Sequence, residues 1–292
     1  MSNNIVEVIL MAAKKILSQE EIQNLIDLYN EGNSLRTIAS ITGYSRTFVT
    51  KIFNENNLVR RTNKENSRKY YLDDNYFDII DSSEKAYWLG FIAADGYITS
   101  KRQGEGQKFG ITLSDIDHNH LDKLNMCLNS TYPVNVYKGS QTNYNPNSIF
   151  CRLLISSDKL VSDLKSLGIV EKKTFTLKFP TKEQVPDEFI FDYIRGYMDG
   201  DGSISFYRGS KIPSCIIGFT GQKEFLEMIE YHLGINVKMN SKDDITYQFN
   251  VGGNDQCLNL LNKLYNNSTV NSRLDRKYDK YLELINIVKT RV

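Results

Sequence analysis

The chain has 292 residues, 40% of them apolar, enough for about two domains with ordinary hydrophobic cores. Thirty-six Lys and Arg against 35 Asp and Glu leave a net charge of +1, so global charge carries no nucleic-acid signal and any basic surface must be local. Four widely spaced cysteines without a CxxC pair exclude a zinc ribbon or thioredoxin-type site, and no run approaches the ~18 apolar residues of a membrane span.

The apolar stretch Ile5–Ala13 is interrupted by Glu7 and has no basic residue before it, so a secretory signal is not expected and the protein reads as soluble and intracellular. Ser18 and Glu21 have the capping-box spacing, and Ile22, Leu25, Ile26 and Tyr29 then share one helical face up to Gly32. Ser34 opens a short second helix, Thr42-Gly43-Tyr44 forms a turn, and Ser45 caps a third helix through about Asn54, with Phe48, Val49, Ile52 and Phe53 inward. Long helix, short helix, Gly turn and third helix make the helix-turn-helix pattern, and the segment resembles the small DNA-binding domains of resolvases and transposases. That resemblance puts Arg46, Thr47, Thr50 and Lys51 on the recognition helix. We take residues 1–58 as this head. Residues 59–80, with Arg60 and Arg61, are expected to be a basic linker able to contact phosphates.

Two later stretches nearly repeat each other. Trp88-Leu89-Gly90-Phe91-Ile92-Ala93-Ala94-Asp95-Gly96 and Ile194-Arg195-Gly196-Tyr197-Met198-Asp199-Gly200-Asp201-Gly202 are apolar, carry small residues at fixed places and end in Asp-Gly. Each is predicted as a helix, the first opened by Ser82-Ser83 and the second near Asp187 after Pro186. Gly96 suits a left-handed closing residue, and Gly202 terminates the second helix. Behind the first come strands at 97–101 and 108–113, a helix at 117–129, strands at 133–137 and 149–155, and a helix at 158–167 closed by Gly168. Behind the second come strands at 203–207 and 215–219, a helix at 223–233 closed by Gly234, strands at 237–240 and 246–251, and a helix at 255–265. The fold class is therefore α+β: a duplicated, pseudo-two-fold αββαββα unit preceded by an all-α head, with repeats over 81–180 and 181–292.

The small residues Gly90, Ala93 and Ala94 on one helix, and Gly196 and Gly200 on the other, allow the two backbones to approach closely. Such a crossing brings Asp95 and Asp201 together at the negative ends of two helix dipoles, each placement costing up to about 1 kcal/mol. Two adjacent carboxylates also repel, and one pKa should rise. A divalent cation relieves both problems, and Mg²⁺ takes hard oxygen ligands together with phosphate oxygens.

Both motifs resemble the signature of the LAGLIDADG homing endonucleases, in the single-chain form that carries two motifs. The resemblance runs from about Tyr71 to the C-terminus. It implies a site-specific double-strand DNA endonuclease, monomeric, acting on a long target with Mg²⁺ (or another divalent ion such as Mn²⁺ or Ca²⁺). By the same resemblance the essential metal-holding acids are Asp95 and Asp201, with Ala94 and Gly200 immediately before them in the metal set. The family also uses basic residues near the site. Lys172 or Lys173 in the first repeat, and Arg276 or Lys277 in the second, occupy similar places. The sixth motif position, Ala93 in one copy and Asp199 in the other, varies in the family and is expected to be secondary.

Basic residues on or beside the predicted strands, Lys101, Arg102, Lys138, Arg152, Arg208, Lys211 and Lys238, together with Tyr137, are candidates for the groove face. Asp115-Ile116-Asp117-His118-Asn119-His120 looks like a metal cluster but is read as helix caps. Asp199-Gly200-Asp201-Gly202 fails as a calcium loop, because Ile204 and Ser210 stand where Gly and Glu are needed. The alternative to a nuclease is a non-catalytic binder on the same scaffold, an RNA intron maturase or a DNA-binding regulator.

Overall fold

The computed structural model describes residues 17–58, 69–100, 106–139, 147–209 and 211–290. The chain forms two compact units, Met1–Tyr71 and Leu72–Val292. Arg60, Arg61, Lys101 and Arg102 lie outside the described residues, as does Ile5–Ala13.

The smaller unit holds α1 (Gln19–Asn30), α2 (Leu35–Thr42) and α3 (Arg46–Glu55). Each start is closed by a serine. Ser18 and Glu21 make a reciprocal capping box, and Ser34 and Ser45 accept from the backbone N–H of Thr37 and Phe48, both at 3.1 Å. Gly43 ends α2 at φ 74°, a left-handed turn that suits a residue without Cβ. Leu25, Tyr29, Ile38, Val49 and Phe53 close a three-helix core, with the Tyr29 and Phe53 rings edge to face at 4.9 Å.

In the larger unit residues 72–80 do not behave as a linker. Leu72, Phe77 and Ile80 are buried, and the Asp73 N–H donates to Leu128 O at 3.0 Å. Apolar side chains at these positions outweigh the polarity of their neighbours and dock the stretch on the core. The first repeat follows as α4 (Ser83–Asp95), β1 (Gly96–Ile98), β2 (Phe109–Ser114), α5 (His118–Cys127), β3 (Val134–Lys138), β4 (Ile149–Ile155) and α6 (Asp158–Ser166). The second is α7 (Ile190–Asp201), β5 (Gly202–Tyr207), β6 (Ser214–Gly221), α8 (Lys223–Leu233), β7 (Asn240–Ser241), β8 (Tyr247–Gly252) and α9 (Asn254–Tyr265), with α10 (Asp275–Lys289) appended. Each repeat builds a four-stranded antiparallel sheet, in the order β1-β2-β4-β3 and β5-β6-β8-β7, so the two topologies coincide. The segment read as a strand at 237–240 pairs only over Asn240–Ser241.

Alternation assigns the faces. In β4 the buried residues Cys151, Leu153 and Ile155 point to the helices, while Phe150, Arg152 and Leu154 take the other face. The register then puts Thr112, Asn135 and Tyr137 beside Arg152 and Phe150 on that open face. In the second sheet Ser203, Ser205, Tyr207, Thr220, Gln248 and Asn250 form the matching row. Among the described residues no helix is long and apolar enough to cross a membrane.

Candidate active site

Helices α4 and α7 cross at the centre of the larger unit. Ala86–Ala93 is buried all round, which marks a helix enclosed by protein rather than one lying on a surface. The contact is backbone to backbone. A Cβ on Gly90 would stand 1.9 Å from Tyr193 O, and one on Gly196 would stand 2.0 Å from Tyr87 O. Only glycine fits at either place. A Cβ on Gly200 would fall 2.3 Å from the Ala94 methyl and 3.0 Å from an Asp95 carboxylate oxygen, so this crossing sets the last turns of both helices side by side.

Asp95 and Asp201 end the two helices. Gly96 and Gly202 follow in extended backbone, at φ −74° and −91°, and not in the left-handed conformation expected for a helix-closing glycine. Glycine is required there for space: the chain turns into a strand so abruptly that a Cβ would meet Ile92 O at 2.7 Å or the Met198 sulfur at 2.2 Å.

Protein packed around Asp95 withholds water from its carboxyl, and the Asp201 charge repels a second one, which together push the Asp95 pKa up to about 6. Asp201 reaches solvent along part of its surface, yet crowding still raises its pKa, opposed by Lys173 and Lys277. Asp201 and Lys173 line a cleft of about 230 Å³ with Thr220 and Gln222 of the second repeat and Leu177.

The paired candidates among the basic residues separate cleanly. Lys173 is buried and donates to Ala94 O at 2.5 Å, at the end of α4. Lys277, from α10, is buried and donates to Met198 O at 2.6 Å, Asp199 O at 2.7 Å and Gly202 O at 2.6 Å, at the end of α7. Burial lowers the pKa of both ammoniums, that of Lys277 to about 8, while the surrounding carboxylates hold them charged. Lys172, at φ 55°, is exposed, and Arg276 grips Asp117 at 2.8 and 3.0 Å. The chain thus supplies a cation to each helix terminus that a carboxylate would otherwise burden.

Asp199 lies in the interior. It accepts from Tyr87 Oη at 2.8 Å, from the Leu274 N–H at 2.7 Å and from Tyr265 Oη, which ties α4, α7, α9 and the start of α10 together. Tyr87 Oη also sits 3.0 Å from Nε2 of buried His120, which burial keeps neutral, its pKa pushed down to about 3. Beside it Arg195 donates to Ser272 O and Leu264 O, both at 2.8 Å, and pairs with Asp192. Nothing in the motif spacing distinguishes these interior partners, because Tyr87, Tyr265 and Leu274 meet only through the fold.

The remaining candidates scatter. Arg152 is on the open face, its guanidinium 5.3 Å from the Tyr137 ring centroid. Lys138 pairs with Ile149 and has the opposite parity, the helix side, although it is exposed at the strand end. Arg208 pairs with Glu283 of α10, and Lys211 and Lys238 are exposed in connecting segments. Arg46, Thr47 and Lys51 are exposed on α3, whereas Thr50 turns its hydroxyl back to Arg46 O at 2.8 Å. The cap expected within residues 115–120 is not made: Asp117 stands at the N-cap of α5, but its carboxylate is taken by Arg276, and Ser114 makes no side-chain cap either.

Two carboxylates reluctant to ionise alone are the hard oxygen donors a divalent cation takes, whereas the neighbouring Ala94 and Gly200 carbonyls face the ammoniums of Lys173 and Lys277 at 2.5 and 3.5 Å. Residues 82–168 match the family model described as a LAGLIDADG-like domain. Among solved structures the chain is similar to the I-LtrWI LAGLIDADG homing endonuclease bound to target DNA (14% identity, 74% of this chain and 92% of that chain covered, TM-score 0.46). It is also similar to the meganuclease I-SmaMI bound to uncleaveable DNA with a TTGT central four (12% identity, 72% and 89% covered, TM-score 0.46). No curated protein matches the chain.

Proposed function

From a chain whose residues 82–168 match a LAGLIDADG-like domain, we propose a site-specific double-strand DNA endonuclease that hydrolyses phosphodiester bonds with a divalent metal, Mg²⁺ in the first place. The observation that carries this reading is the meeting of Asp95 and Asp201 at glycine-crossed helix ends, with one buried lysine at each end. A divalent ion held by the two carboxylates would supply Lewis-acid activation of the phosphate and of the attacking water.

The chain's own residues do the rest. The glycine crossing holds both carboxylates on rigid helices, so they need no rearrangement on binding. Lys173 and Lys277 place positive charge where the phosphate and the departing oxygen gain negative charge. The open sheet faces offer Thr112, Asn135, Tyr137 and Arg152 in one repeat, and Ser203, Ser205, Gln248 and Asn250 in the other. These are side chains that read base edges by hydrogen bonds. Lys138, Lys211, Lys238 and Arg208 are assigned to the DNA backbone, and Arg46, Thr47 and Lys51 of the head to a second groove.

The test is cleavage of a randomised plasmid library in Mg²⁺ by the wild-type chain, with Asp95→Asn and Asp201→Asn beside it. Linear products sharing one site should form with the wild type and fall at least a hundredfold with either variant. Cleavage undiminished in both variants would remove the assignment, and specific binding without any cleavage would instead support the non-catalytic binder.

A further inference from the structure

The turn from β2 into α5 carries Asp115 and His118, and β4 places Cys151 beneath it. One ligand atom from each of the three lies within 4.8 Å of the other two. We propose that Asp115, His118 and Cys151 bind one Zn²⁺ ion, at a second metal site separate from the Asp95–Asp201 pair.

Geometry and donor chemistry agree on this. Asp115 Oδ1 and His118 Nδ1 stand 3.2 Å apart. That is close to the edge, about 3.3 Å, of a tetrahedron drawn with zinc–ligand bonds of about 2.0 Å. Thiolate, imidazole and carboxylate in one cluster select zinc or cobalt over magnesium, and three protein ligands leave the fourth position to water. The other ring nitrogen of His118 lies 3.8 Å from Asp122 Oδ2, a longer separation than a hydrogen bond, so Asp122 adds negative charge near the ring without fixing it. Strand pairing fixes Cys151 between Leu113 and Val136, and its thiol donates weakly to Leu113 O at 3.8 Å and Ser114 O at 3.6 Å, bonds that metal binding would replace. Helix capping does not account for the turn, since Ser114 and Asp117 make no cap. Asp115 and His118 are half-buried, so an ion enters from their side. On binding, the sulfur–hydrogen bond of Cys151 is replaced by a sulfur–metal bond and the proton passes to solvent. The ion would pin the start of β4 to the turn before α5, at one end of the two inner strands of the first sheet.

Co²⁺ is the probe, added to the full-length chain in the presence of excess Mg²⁺. A thiolate-to-cobalt charge-transfer band should saturate at about one equivalent and be bleached by Zn²⁺. Cys151→Ser should abolish the band, and His118→Ala should weaken binding at least about tenfold. Asp95→Asn should leave the titration unchanged. His118 is partly exposed, so its variant remains informative if Cys151→Ser fails to fold. No band in the wild type, a band that survives Cys151→Ser, or an affinity unchanged in His118→Ala would overturn the site.

Discussion

At Asp95 the folded protein holds a proton more tightly than the unfolded chain does, since its pKa rises from 3.8 to about 6. The sign follows from that direction. This carboxyl favours the folded state most below pH 3.8, and the advantage is lost as pH rises through about 6. Above about pH 7 and without divalent ions, Asp95→Asn should therefore be more stable than wild type, by roughly 1 kcal/mol once the shift is discounted for the solvent that reaches the group. Thermal melts in a chelator check it, and a variant that melts lower than wild type would contradict the account. Asp199, two residues before Asp201 in the second motif, also has a raised pKa but a different place. Burial raises its pKa against the opposing pull of the Lys277 charge and three donors, and those partners fix it in the interior. Motif position alone could single out Asp95 and Asp201. It could not separate Lys173 from Lys172, or Lys277 from Arg276, because adjacent residues of one charge differ only in where the backbone aims them.

Among the elements, α4 and α7 depend on two glycines. The backbone oxygens of Tyr87 and Tyr193 occupy the space a methyl group would need. Gly90→Ala or Gly196→Ala should destabilise the larger unit by about 3 kcal/mol or more, since the obstructing atoms are main chain and cannot rotate away. Urea unfolding measures this, and a loss below ~1 kcal/mol would show that the crossing has room to spare. The same separation of helix axes sets the approach of Asp95 to Asp201, so cleavage should fall with stability. The sheets are legible to a different degree. Alternation in β4 marks Arg152 as facing away from the helices, but Lys138 takes its parity from the register of β3 on β4, which lies beyond any single strand's pattern. Uncharged residues of the open sheet faces such as Asn135, Gln248 and Asn250 are missed when only basic residues are sought, although their place follows from period two once the pairing is known.

For the whole molecule, the repeat is the organising fact. Two sheets of the same strand order flank one helix pair, and contacts across the repeats reinforce it: Arg276 to Asp117, Lys123 to Asp275 at 2.7 Å, and Tyr87 to Asp199 at 2.8 Å. The three-helix head is a compact unit of its own and adds a candidate DNA-binding surface. In the full-length chain, Arg46→Ala with Lys51→Ala should lower the slope of log affinity against log salt by about one for each of the two positive charges withdrawn from the DNA surface. An unchanged slope would mean that α3 does not touch DNA. The amino-acid sequence by itself determined the αββαββα duplication, the serine caps, the small residues at the crossing and the aspartates that end it. These are local signals, written in periodicity and in residue size. The tertiary structure decided which lysine of each basic pair reaches a helix end, that Asp199 is an interior hub, that residues 72–80 join the core, and that Asp117 pairs with Arg276. Those outcomes rest on partners far along the chain, up to 159 positions away, brought together by packing that no local pattern encodes.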